Sequence, residues 1–294
     1  MKVAVAKYPI DAPARFDDFA DKQARWLREA AALGARIAVL PEYLSLELGA
    51  TFAPAVRGDL HASLSAIQRH RAAWCDLYAG LARALDLHVV AGTFLLDAGD
   101  GRHRNRADLF TVDGGHAWQD KLQLTGFEKR TGAIDGGDAL KVFDLDGVRV
   151  GIAICYDIEF PLPVRAQCEA GARLLLVPSC TDTVAGATRV RVGALARALE
   201  NRAFVAQAVT AGEAPWSPAL DVNTGEATVY APMDAGLPAD GLLSVTDRAS
   251  GWACADCDPQ ALADSRAQAQ VANDRDWPGQ LAPGLRQARV EALR

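Results

Sequence analysis

From residue 3 to residue 245, short apolar or β-branched runs of strand length alternate with stretches of helical periodicity, and that alternation confines the chain to α/β architectures. Val3 to Ala6 is followed by Ala20, Ala24, Leu27 and Ala31 on one helical face, and then by a second strand from Arg36 to Leu40. Ile67, Trp74, Leu77, Tyr78, Leu81 and Leu85 mark a long amphipathic helix, with the strand His88 to Leu95 and a Gly/Asp/Arg-rich turn through Arg106 after it. Asp113-Gly114-Gly115 separates the runs Asp108 to Val112 and His116 to Gln119, and Asp146-Gly147 separates Lys141 to Leu145 from Val148 to Ile154. Both are hairpin signals, so part of the pairing is expected to be antiparallel. A helix from about Val164 to Gly171 leads to the strand Arg173 to Val177, and Val192, Leu195, Ala196 and Leu199 mark a further helix before the strand Phe204 to Val209. Weaker strands read at Ala227 to Tyr230 and Gly241 to Val245. With no linker-like composition or fixed-period repeat before residue 250, residues 1–258 read as one α/β domain and residues 259–294 as an Ala/Arg/Asp-rich tail or arm.

Composition narrows the function classes. Half of the 294 residues are hydrophobic, enough for a large core. A net charge of -6 without a Lys/Arg block argues against nucleic acid and against anionic membranes as partners. No apolar run approaches the roughly 20 residues that span a bilayer. The N-terminal stretch reaches Pro9 and Asp11 quickly and reads as a strand rather than a signal peptide, and six Cys are too sparse for a disulfide scaffold. The expectation is a soluble, cytoplasmic protein with reduced thiols.

Three polar residues each follow directly on an apolar strand: Glu42 after Ile37 to Pro41, Lys121 after His116 to Gln119, and Cys155 after Gly151 to Ile154. In open α/β sheets ligands collect beyond the carboxyl ends of strands, so side chains delivered there by separate strands can converge on one pocket. Cys155 opens a bend with free backbone N–H groups behind it, as a nucleophile requires; a buried core thiol is the alternative. No His accompanies it at a strand end. Cys254-x-x-Cys257 lacks a second Cys/His pair and reads as an incidental surface pair, so no metal is expected. Gly114-Gly115 and Gly136-Gly137 lack the context of nucleotide loops and read as turns, so no cofactor is expected.

These segments resemble a known family. Leu40-Pro41-Glu42, Asp120-Lys121-Leu122-x-Leu124-x-x-Phe127-Glu128 and Gly151-x-x-Ile154-Cys155-Tyr156-Asp157-x-x-Phe160-Pro161 are similar to the three signature segments of the nitrilase superfamily of carbon-nitrogen hydrolases. Val177-Pro178-Ser179 and Ala196-Arg197-Ala198-x-Glu200-Asn201-x-x-Phe204-Val205 resemble later family segments, so the likeness covers about residues 1 to 245 in order. It implies a four-layer αββα sandwich, a homodimer and a cofactor-free Glu-Lys-Cys triad. Glu42 would be the base, Lys121 the oxyanion stabiliser with help from the Tyr156 backbone N–H, Cys155 the nucleophile, and Glu128 a second glutamate that orients the lysine and the substrate amide. Glu128 could instead form a surface ion pair with Lys129 or Arg130. Tyr43, Ser179, Cys180 and Thr181 are expected in the substrate wall.

Cys155-Tyr156-Asp157, in place of the Cys-Trp-Glu of true nitrilases, resembles the amidase and carbamoylase branches and implies hydrolysis of a small linear amide or N-carbamoyl compound. Amide-forming acyl transfer by the same fold and a catalytically idle binding protein are the alternatives. Asp120, next to Lys121, argues against an acidic substrate.

Overall fold

The computed structural model describes residues 1–247 and 251–291. Its strands are β1 (Lys2–Pro9), β2 (Ile37–Val39), β3 (His88–Gly99), β4 (Arg102–Phe110), β5 (His116–Asp120), β6 (Ile134–Asp135) and β7 (Val142–Leu145). They continue with β8 (Val148–Ile152), β9 (Leu174–Ser179), β10 (Phe204–Glu213), β11 (Val222–Asn223), β12 (Thr228–Tyr230), β13 (Leu242–Val245) and β14 (Trp252–Asp256). The helices are α1 (Phe16–Ala32), α2 (Pro54–Arg57), α3 (Leu60–Ile67), α4 (Arg71–Leu85), α5 (Gly126–Thr131), α6 (Pro161–Glu169), α7 (Val184–Asn201), α8 (Pro259–Asp264) and α9 (Asn273–Asp276).

β1 is shared between two half-sheets. Its residues Val3 to Val5 pair with Ile37 to Val39 of β2, whereas Lys7 to Pro9 pair with Val209 to Ala211 of β10. The order β5-β4-β3-β2-β1-β10-β9-β8-β7 therefore curls at β1, and β2 and β3 come to lie against β9. Period-two alternation decides what each face meets. Val3, Val5, Ile37 and Val39 face inward onto a core shared with Val150, Ile152, Leu174 and Leu176, while Ala4, Ala6, Ala38 and Ala91 face outward under Phe19, Leu27, Trp74 and Tyr78 of α1 and α4. With α6 and α7 over the other half, the layers are the expected αββα sandwich.

Four strands set the site. β2 runs parallel to β1 and β3, β5 is antiparallel to β4 and β4 to β3, and β8, β9, β10 and β1 are mutually parallel. It follows that β2, β5, β8 and β9 all end at one edge.

Several expectations need correction. The long helix from Ile67 is broken by a 3-10 turn over Gln68–His70, and α4 starts only at Arg71. The polar stretch through Arg106 is a strand: Arg102, Arg104 and Arg106 alternate with buried His103, Asn105 and Ala107, and the arginines reach Asp135, Asp138 and Asp120. Val192 is exposed on α7, whose buried stripe is Val190, Gly193, Ala194, Arg197, Ala198 and Asn201. Cys254 and Cys257 are no surface pair. Cys254 lies in β14, which zips antiparallel onto β1, and Cys257 beside it is buried. Residues 259–291 are largely exposed, yet Leu262 is buried and Arg202 donates to the Leu262 carbonyl and to Ser265. Among the described residues no helix is long and apolar enough to cross a membrane.

Candidate active site

A bulge places Glu42. The ladder between β3 and β4 shifts between Val90 and Thr93, where Gly92 takes a φ of 66°, and a Cβ there would stand 2.2 Å from the Pro41 carbonyl oxygen. Only glycine permits that approach. Thr93 then accepts the Tyr43 N–H at 2.8 Å, with Tyr43 itself left-handed at φ 60°. The chain turns sharply and directs the Glu42 side chain into the sandwich edge, where it is 1% exposed.

Lys121, directly after β5, is equally buried and donates from Nζ to Glu42 Oε1 at 2.7 Å and to Glu128 Oε1 at 3.0 Å. Glu128 sits at the start of α5, where its Oε2 accepts the Thr125 N–H at 2.8 Å in a capping box. Its Oε1 also accepts the Tyr43 hydroxyl at 2.8 Å. The alternative of a surface ion pair with Lys129 or Arg130 is thus excluded. Asn105 completes the group and was not legible as a site residue: its Nδ2 donates to Glu42 Oε1 at 2.8 Å and to Glu128 Oε1 at 3.3 Å.

Cys155 follows β8 at the head of a 3-10 turn, Cys155–Glu159, with a φ of 48°. Left-handed backbone at a non-glycine residue costs energy and persists where surrounding structure enforces it. The thiol lies 3.5 Å from the Cys180 carbonyl, while the Cys180 N–H donates to Glu42 Oε2 at 3.1 Å. Behind Cys155, the Tyr156 N–H falls in the first turn of the 3-10 helix, where amides lack intrahelical partners.

Electrostatics follow from burial. Burial pushes the Glu42 carboxyl up, opposed by the Lys121 charge and by a hydrogen bond from Cys155. Burial alone would pull Lys121 down, but Glu42 and Glu128 more than offset it and hold the ammonium charged. Glu128 is pushed up by burial and pulled further down by Lys121, so it stays ionised. The Cys155 thiol is raised well above its ordinary value, by burial first and then by Glu42, with Lys121 acting against both. A neutral thiol therefore faces Glu42, whose carboxyl group is held in place by the buried Lys121 ammonium and the buried Asn105 amide.

A pocket of about 340 Å³ opens over these groups, lined by Glu42, Tyr43, Lys121, Cys155 and Tyr156 together with Cys180 and Thr181. Arg130, Arg189, Glu159, Asp182 and Asp221 give it charges of both signs. Of the wall expected from sequence, Ser179 is absent: it is the last residue of β9, fully buried, and its hydroxyl turns back to the Val177 carbonyl. Asp120 does not charge the pocket either, because Arg106 holds it bidentately at 2.7 and 2.9 Å on the other side of β5. Among the described residues no group of three or more His, Cys, Asp and Glu is placed to hold a metal ion.

A family model described as carbon-nitrogen hydrolase matches residues 2–237. A probable hydrolase of Bacillus subtilis, YhcX, is 29% identical over 247 residues, which is 84% of this chain and 47% of that protein. The chain thus spans about half of that relative. Omega-amidase NIT2-A of Xenopus laevis is 27% identical over 237 residues, 79% of this chain and 81% of its own. Among solved structures, Saccharomyces cerevisiae Nit3, a member of branch 10 of the nitrilase superfamily, superposes with a TM-score of 0.72 at 20% identity, covering 94% of this chain and 96% of its own.

Proposed function

Because the chain belongs to the carbon-nitrogen hydrolase family, we propose that it cleaves the C–N bond of a small linear amide or N-carbamoyl compound through a thioester on Cys155. The observation that carries this reading is the buried Lys121 ammonium, 2.7 Å from Glu42 in the pocket that Cys155 also lines. Glu42 takes the thiol proton as sulfur attacks the carbonyl carbon, and the C=O electron pair moves to oxygen. Lys121 Nζ and the Tyr156 N–H stabilise that oxyanion. Collapse breaks the C–N bond, and the proton on Glu42 passes to the leaving nitrogen, releasing ammonia or an amine. Water then attacks the thioester, Glu42 takes its proton, and the thiol is restored as the acid leaves. Glu128, held ionised and fully buried behind the pocket wall, keeps Lys121 aimed; with its oxygens taken by Lys121, Asn105, Tyr43 and Thr125, it acts on the substrate through the lysine and not by accepting from the amide.

The raised Glu42 carboxyl supports the assignment, since a base closer to neutrality is a better match for a thiol and for an amine leaving group. The omega-amidase relative supports an amide as substrate. The test is ammonia release from a panel of short linear amides and N-carbamoyl compounds, with Cys155→Ala as control and mass spectrometry of the quenched enzyme. Ammonia release that disappears in Cys155→Ala, with an acyl mass on Cys155 of the wild type, is expected. Turnover unaffected by Cys155→Ala would refute the reading, and turnover that needs an added amine would assign acyl transfer instead.

A further inference from the structure

The two halves of the site come from opposite half-sheets. Lys121 follows β5 in one half and Cys155 follows β8 in the other, and β5 and β8 share no ladder. Something must hold the ammonium and the sulfur in register across the gap. Asp157, two residues beyond the nucleophile and 3% exposed, bridges it. Its Oδ1 accepts the Gln123 N–H at 2.7 Å and the Leu122 N–H at 3.1 Å, directly behind Lys121. Its Oδ2 accepts the Ile154 N–H at 3.1 Å, directly before Cys155, and lies 3.2 Å from the Leu122 nitrogen. We infer that Asp157 is a positioning residue, a buried carboxylate that latches the Lys121 loop to the Cys155 turn, and that the latch opens when the carboxylate gains a proton.

The chemistry requires the ionised form. Three backbone N–H groups converge on the two oxygens, and a proton on either oxygen puts a donor where an acceptor is needed. Burial pushes the Asp157 carboxyl up to about 6, against the pull of the Gln123, Leu122 and Ile154 amides and the Lys121 charge. The other charges around the turn are engaged elsewhere or lie in the catalytic group. Glu159 faces Arg189 of α7, Arg197 of α7 is held by Glu200 and the Ile158 carbonyl, and Arg165 of α6 by Glu169. Glu42, Cys155 and Cys180 stand on the pocket side.

The sign separates this latch from a merely structural carboxylate. With the folded value raised from 3.8 to about 6, the native state binds the proton more tightly than the unfolded chain. The resulting stability is fully present below the unfolded value and is lost as pH rises through the folded one. Acidification across that window therefore favours the fold while it loosens the site.

The test rests on the proposed catalysis for turnover but not for its second arm, alkylation of Cys155 by iodoacetamide, which needs no hydrolysis. Asp157→Asn keeps the shape, one acceptor oxygen and no titration. It should lower kcat roughly 10- to 100-fold, as misplacement of reacting groups by about an ångström does, with KM changed roughly twofold at most. In the wild type, labelling should fall about tenfold per pH unit while only the thiol titrates, and more steeply below about pH 6, without a drop in Tm. Asp157→Asn should start lower and show no steeper limb. Equal kcat and labelling in the two proteins, or the same slope through pH 6 in both, would overturn the latch. Should Asp157→Asn not fold, the wild-type profile decides, since a single slope refutes the inference. Should no amide be turned over, the labelling arm still decides, so the two readings fail separately.

Discussion

At the residue scale, the trio of Glu42, Lys121 and Glu128 places one buried cation between two buried carboxylates, and an arrangement of that kind tolerates no partial removal. Losing Lys121 leaves two like charges facing each other in a low-dielectric site. Lys121→Ala should lower kcat by about a hundredfold or more, about 3 kcal/mol of transition-state stabilisation, and should slow alkylation of Cys155, because Lys121 is what opposes the upward shift of that thiol. Cys155→Ala should abolish turnover with the fold intact, and Cys155→Ser nearly so, since Glu42 is too weak a base for a serine hydroxyl. Glu42→Gln should keep the pocket shape and lose the base. Among the other thiols, Cys168, Cys180 and Cys257 are all pushed up to about 12 by burial. Competing label should therefore appear at the half-buried Cys75 and Cys254, read by peptide mass spectrometry. Because no step invokes a metal, a chelator should leave ammonia release unchanged, and activity lost to chelation and restored by zinc would contradict the mechanism.

At the element scale, two glycines hold the catalytic loops where they are. Gly92 needs both its positive φ and its missing side chain beneath Pro41, so Gly92→Ala should shift the Pro41-Glu42 bend, cost more than 1 kcal/mol and reduce kcat, read by thermal unfolding and turnover together. A Cβ on Gly193 would stand 3.0 Å from the Ile158 carbonyl oxygen, so Gly193→Ala should push α7 off the Cys155 turn, at a cost of about 1–3 kcal/mol. Glu42, Lys121 and Cys155 were legible because each directly follows an apolar run whose direction the α/β pattern implies. Asn105 was not, because Arg102, Arg104 and Arg106 make its strand read as a polar turn. The period-two alternation with His103, Asn105 and Ala107 was the available signal. The buried face of α7 does not follow from its apolar periodicity for the opposite reason: its buried stripe is built largely from small and polar residues that permit close packing, while Val192 points outward. Ser179 was expected in the pocket wall because it ends a strand at the right edge, but alternation turns its side chain into the core.

At the scale of the whole molecule, the sandwich depends on what closes β1. β1 carries β2 along one side of its first half, β14 along the other, and β10 along its second half, so it is the strand on which both half-sheets hang. β14 comes after a long excursion through the second half-sheet. The run Trp252 to Ala255 is apolar but short and has no β-branched residue, and its partner β1 lies at the other end of the chain, so residues 252 to 256 do not read as a strand from the sequence. Its register, Lys2 with Asp256 through Ala6 with Trp252, leaves β1 with an unpaired edge if β14 is removed. The buried Cys257 and the ring contact between Trp26 and Trp252 would go with it. Residues 259–291 are bound less deeply. Leu262 is buried, Arg202 reaches the Leu262 carbonyl and Ser265, and Arg165 of α6 stacks on Trp277, whereas Arg202 also keeps Asp234 within the domain at 2.7 Å. Burying one leucine side chain stabilises by about 1.5–3 kcal/mol, and for a domain of this size each kcal/mol moves Tm by roughly 2–4 °C. A chain ending at residue 258 should therefore fold and lose on the order of 3–12 °C in Tm, with Cys155 still labelled by iodoacetamide. A chain ending at residue 250 should aggregate or remain unfolded, as seen by circular dichroism and gel filtration. Equal stability of the two truncated chains would show that β14 is dispensable and that β1 is held by β2 and β10 alone.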